Sequence, residues 1–295
     1  MEADMRFELL FSLLASLCLF AADIACAASA SDFEVYNLVD ELNITRLRGR
    51  LHVPASYADD PTTPRPLILF LHGSGESGSD NLAQINGNID NLLSAAKARD
   101  AFLFAPQTNS GWEQSVLLGR AMTMIDRAIA ERSVDPNRIY VTGLSMGGGG
   151  AWNFLHQFPE RVAATVPICG IYPSSGFMPS RIVNEPIWAF HGRTDTTVPV
   201  EVTRDVVNSL LVEAGLPIPT YPPKFNNFGP NVTIANPPLD LLYTDVRGSH
   251  GIWPQVYAMP ELYDWMFAHG AVPEPSAVML VVLGIASIMG CHRIR

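Results

Sequence analysis

At 295 residues, 48% of them hydrophobic, the chain is long enough to bury one large core. Its formal net charge is −10, and no run of lysine or arginine stands out, which argues against a nucleic-acid partner. Of its four cysteines only Cys169 lies outside the two ends, so no intrachain disulfide is expected in a domain spanning residues 31–270. No Cys/His pair has metal-site spacing.

In chain order, the apolar run Leu9–Ala22 and the small residues Ala28-Ser29-Ala30 read as a secretory signal peptide over residues 1–30, cut before Ser31. Pro66–Leu71 has the composition of a buried strand and runs into His72-Gly-Ser-Gly-Glu76. Ala101–Ala105 is a second such strand, followed by Gln107 and Trp112 as candidate pocket walls, with the core as the alternative for Trp112. Ser115–Arg132 is the clearest helix, with apolar residues at 117, 118, 121, 124, 125, 128 and 129. Asn137–Thr142 reads as a strand, then Gly143-Leu-Ser145-Met-Gly147, then a helical pattern through Leu155.

Pro186–Phe190 is the next buried strand, with Asp195 on the turn beyond it. A helix is expected around Val202–Ala214. Residues 215–238, with prolines at 217, 219, 222, 223, 230, 237 and 238, read as a long structureless insertion. Connections of that length are uncommon and often functional, so it is a candidate lid or wall of the acyl pocket, with Tyr221, Phe225 and Phe228 as contacts, or else a surface insertion without a role. Leu241–Val246 is a last strand before the loop that presents His250. Strands alternating with helices predict an α/β domain, a mostly parallel sheet covered on both faces.

Strand, G-x-S-x-G, helix describes a turn so tight that the residues flanking the serine must lack side chains. Ser145 is therefore the candidate nucleophile. A serine hydroxyl needs a base at neutral pH, and His250 is read as that base, with Asp195 fixing its tautomer. The order Ser, Asp, His leaves 50 and 55 positions between members, room for one or two strand–helix units each. The Met146 N–H would supply one oxyanion donor and Ser74 the other, with Gly75 as the alternative. His72 and His191 border strand ends and are read as ordering their loops. Asp245 is a rival acid, expected to be solvated.

Val134–Gly148, with the loop Leu71–Asn81, Ala105-Pro-Gln107, His191–Asp195 and Glu261–Met266, resembles the esterase, phospholipase and "predicted peptidase" group of α/β-hydrolases. These are relatives of dienelactone hydrolases and prolyl oligopeptidase catalytic domains. The resemblance covers most of residues 45–270 and implies an α/β-hydrolase fold and a Ser-His-Asp hydrolase without metal or cofactor. At the other end, Val272-Pro-Glu-Pro275, an uncharged run to Cys291 and a basic His292–Arg295 resemble a PEP-CTERM sorting tail. That implies an exosortase-type processing partner, membrane association through residues 271–295, and a place in the cell envelope or outside it. The leading expectation is an exported esterase acting on small or polysaccharide-linked esters. A peptidase with the same triad and a non-catalytic binding protein are the rivals.

Overall fold

The computed structural model describes residues 27–224 and 229–271. The leader run, Cys18, Cys26, Phe225, Phe228 and the Val272–Arg295 tail lie outside the described residues.

Among the described residues, ten strands form one sheet: β1 (Glu34–Val35), β2 (Leu38–Val39), β3 (Thr45–His52), β4 (Arg65–Leu71), β5 (Phe102–Gln107), β6 (Val134–Leu144), β7 (Ala164–Ile168), β8 (Ile187–Gly192), β9 (Val232–Ala235) and β10 (Leu241–Val246). The order is β1-β3-β5-β4-β6-β7-β8-β10-β9, with β2 pairing to β3. The six strands from β5 to β10 in the middle of that order run parallel. Antiparallel pairs close the two sides, β3 on β5 and β9 on β10.

β4 shows why the middle strands are unbroken apolar runs. Leu67, Leu69 and Leu71 enter one core while Ile68 and Phe70 enter the other. Alternating side chains bury on both faces only when helices cover both. On the first face lie α2 (Ser115–Arg132), α3 (Met146–Gln157) and α4 (Glu201–Glu213). On the second lie α1 (Asp90–Ala98), α5 (Trp253–Tyr257) and α6 (Pro260–Phe267).

The expected helix over 115–132 and the strand over 241–246 match observed elements end for end. The strand expected at Asn137–Thr142 extends to Val134–Leu144, because its amino end pairs through Arg65 and Val134 as well. The insertion 215–238 is not structureless. It contains β9, whose alternating half-buried and exposed residues make a sheet edge. Tyr221 packs onto the sheet and α4: its ring stands edge-on to Tyr243 of β10 at 5.5 Å, and its hydroxyl donates to Asn208 of α4 at 2.7 Å.

Candidate active site

All parallel strands point their carboxyl ends to one edge, and the site lies along it. β6 ends at Leu144, and Ser145 follows with φ 55° and ψ −116° before α3 begins at Met146. A non-glycine residue in that region stores on the order of 1–3 kcal/mol of strain, which the surroundings must hold. Here the Ser145 N–H donates to the Ile168 carbonyl at 2.9 Å, and the Ser145 carbonyl accepts from Ile171 at 3.3 Å. A Cβ on Gly147 would overlap the Leu71 carbonyl, so the turn requires glycine there.

β8 delivers Asp195 and β10 delivers His250 to the same place. His250 Nε2 lies 2.9 Å from Ser145 Oγ, and His250 Nδ1 lies 2.6 Å from Asp195 Oδ2. A carboxylate accepts only, so Nδ1 carries the proton and Nε2 is left to accept from the serine hydroxyl. The His250 ring stands edge-on to Trp253 at 5.5 Å, and Trp253 Nε1 donates to Asn88. The arrangement can pass a proton from Ser145 to His250 while Asp195 stabilises the imidazolium.

Asp195 is buried, and burial alone would raise its carboxyl. Hydrogen bonds from His191, His250, Val198 and Thr197 outweigh that and hold it well below the usual carboxylate range. Oδ1 accepts from the Thr197 and Val198 N–H groups at 2.8 and 2.9 Å. Oδ2 receives His250 and also faces His191 Nε2 at 3.2 Å. His191 therefore does more than order its loop. Cys169, at the end of β7, completes this surround. Burial pushes its thiol well above the usual value, and Asp195 adds to the rise. Cys169, His191 and Asp195 present ligand atoms within 4.8 Å of one another. Both Asp195 oxygens and both His191 nitrogens already face protein partners. Neither Cys169 nor the second imidazole was evident as a neighbour of the acid; the four-residue step from His191 to Asp195 was the available signal.

The loop after β4 carries Ser74. Gly73 passes against Leu144, where a Cβ would come 2.6 Å from Leu144 Cδ1. Ser74 opens a short 3₁₀ turn, Ser74–Glu76, and Met146 opens α3, so each N–H is at a helix start without an intrahelical acceptor. His72 orders this loop from below: Nδ1 bonds the Gly73 carbonyl at 2.7 Å, and Nε2 accepts from Thr108 at 3.2 Å. Trp112 is core rather than pocket wall, its Nε1 donating to the His72 carbonyl at 3.1 Å. Gln107 is buried as well and ties Asn81 to the Glu76 carbonyl.

Asp245 is not the solvated rival acid. It is fully buried and pairs with Arg204 of α4 at 2.7 Å, because its position in β10 turns its side chain to the face that α4 covers.

Comparison with known proteins adds four findings. Residues 95–222 match the dienelactone hydrolase family. A poly(3-hydroxybutyrate) depolymerase of Ralstonia pickettii is 31% identical over 127 residues, 37% of this chain and 26% of that protein. A bifunctional acetylxylan esterase/xylanase of Neocallimastix patriciarum is 28% identical over 166 residues, 54% of this chain and 22% of that protein. The chain thus spans well under half of the length of these two relatives. A crystal structure of a thermostable esterase is 31% identical with a TM-score of 0.65, covering 82% of this chain and 64% of the other. This chain has the α/β-hydrolase fold, and it is similar to esterases and to dienelactone hydrolases.

Proposed function

We propose that this protein is an exported serine carboxylesterase that cleaves carboxylic esters through an acyl-enzyme on Ser145. The single observation that carries the reading is the relay from Asp195 through His250 to Ser145, at 2.6 and 2.9 Å. His250 Nε2 takes the hydroxyl proton as Ser145 Oγ attacks the ester carbonyl. The oxyanion then lies between the N–H groups of Met146 and Ser74. Collapse breaks the ester C–O bond, and His250 returns its proton to the departing alcohol. Water adds next, giving its proton to His250, and the acid leaves as Ser145 is restored. The similarity to esterases supports carboxylic esters over other acyl compounds.

Export rests on the N-terminal apolar run and on the Pro-Glu-Pro tail, and polysaccharide-linked esters rest on that tail and on the acetylxylan esterase likeness. The test is hydrolysis of p-nitrophenyl acetate by the full chain beside Ser145→Ala. The expected loss is on the order of 10³-fold or more. Equal rates in the two proteins would overturn the assignment of Ser145. Comparable turnover of the matching anilide would shift the reading to a peptidase.

A further inference from the structure

β3 places Arg46 and Arg48 on one side of the strand, both exposed. Arg48 lies opposite Gln107, at the carboxyl end of β5, so these arginines stand at the same sheet edge as Ser145. From α2, Arg120 reaches across and donates to the Arg46 carbonyl at 2.9 Å. Arg46 and Arg48 are neighbours on one strand face, and folding adds Arg120 from more than 70 positions further along the chain. With Ser79, Thr108 and Asn109, the three arginines line a polar cleft of about 290 Å³.

The cleft keeps a positive balance in an acidic protein. Asp40 neutralises Arg46 at 2.5 Å. Neither Arg48 nor Arg120 has a carboxylate within ion-pair distance among the described residues. The nearest acid of this loop, Asp80, is occupied by Gln107 and by the Leu82 and Ala83 N–H groups. The cleft is also built onto the reacting end of the sheet. The Gly78 N–H donates to the Thr108 carbonyl at 3.0 Å, and the Thr108 N–H donates to His72, which holds the Ser74 loop.

We infer that this cleft binds a carboxylate carried by the ester substrate away from its reacting carbonyl, so that the substrate class is an esterified, uronate-bearing polysaccharide. The inference rests on the esterase reading of this same edge. A guanidinium fork matches a carboxylate or a phosphate with two parallel hydrogen bonds. The neutral donors and acceptors beside it, Ser79, Thr108 and Asn109, suit the ring hydroxyls of an acidic sugar. Charge at such a site is set against solvent, so the attraction weakens as salt rises.

The experiment titrates full-length Ser145→Ala with a galacturonate hexamer, a neutral xylose hexamer and polyphosphate. The uronate is expected to bind about tenfold or more tighter than the neutral sugar, and Arg48→Glu in the same background to remove about that factor. Arg138→Glu changes the net charge equally near the amino end of β6 and should leave the affinity in place. Equal affinity for the two hexamers, or equal loss from the two charge reversals, overturns the inference. Tighter binding of polyphosphate than of uronate overturns the carboxylate assignment. Binding is read without the nucleophile, so uronate affinity in a chain whose wild type turns over no ester would remove the esterase reading and leave the cleft.

Discussion

Asp195 Oδ1 accepts from two backbone N–H groups, which leaves Oδ2 to face two imidazoles. His191 Nε2 lies near two acceptors, Asp195 Oδ2 at 3.2 Å and the Val198 carbonyl at 2.9 Å, so it carries the proton. Its Nδ1 is then the acceptor for the Thr203 hydroxyl, 2.7 Å away. The ring cannot turn without losing both, and the carboxylate it faces cannot swing away from His250. Depressed as it is, the Asp195 carboxyl is charged across the neutral range. The stability its bonds give is present above the unfolded carboxylate value and lost only as pH falls through the lower folded value. His191 is thus a positioning residue. His191→Asn should lower kcat on the order of 10–100-fold, because small misplacements of a reacting group cost that much, with KM within about twofold. His191→Gln, which keeps a donor near the Nε2 position, should recover part of the loss. A kcat unchanged in a variant that still melts cooperatively would sink this role.

The proline-rich connection shows how an element can hide in a sequence. Its first half is clamped by Arg204 of α4, whose Nη2 donates to the Pro222 carbonyl at 2.8 Å and to Asp245 at 2.7 Å. The same guanidinium lies 4.9 Å from the Tyr221 ring. Its second half is β9, a four-residue strand bounded by Pro230 and Pro237. Prolines at such places read as loop, yet they suit a sheet margin, where they discourage further strand addition. Among its described residues, the connection supplies the edge strand of the sheet. Arg204→Leu would strand a buried carboxylate that burial already raises, with Arg193 remaining at 3.8 Å. Denaturant unfolding should show a loss of about 3 kcal/mol or more. The double variant Arg204→Leu/Asp245→Asn should regain part of it. A single variant as stable as the parent would mean that the pair does not hold the connection.

Across the whole molecule, what the sequence disclosed follows from burial. Residues 66–71, 101–105 and 241–246 were legible as strands because both faces of the sheet are covered, which leaves unbroken apolar runs. Ser145, Asp195 and His250 were legible because each falls just past such a run, and parallel strands bring their ends to one edge. β1, β2 and β9 were not, being two to four residues long and half exposed, and the arginine cleft joins segments distant in the chain. The same polarity separates catalysis from a pH-sensitive spot at the opposite end. Glu185 precedes β8 and lines a cleft of about 390 Å³ with Glu160 and Arg181. Burial, and then the Glu160 charge, push its carboxyl up to about 7 from the ordinary 4.5. Between those values the folded chain holds more protons than the unfolded one, so stability falls as pH rises through the window and stays lowered above it. The full shift would amount to about 3 kcal/mol, and the partial exposure of this carboxyl reduces that to about 1–2 kcal/mol. Glu185→Gln should therefore raise Tm by roughly 3–6 °C at pH 8 and far less at pH 4.5. An equal shift at both pH values would show that the gain comes from packing rather than from the removed charge.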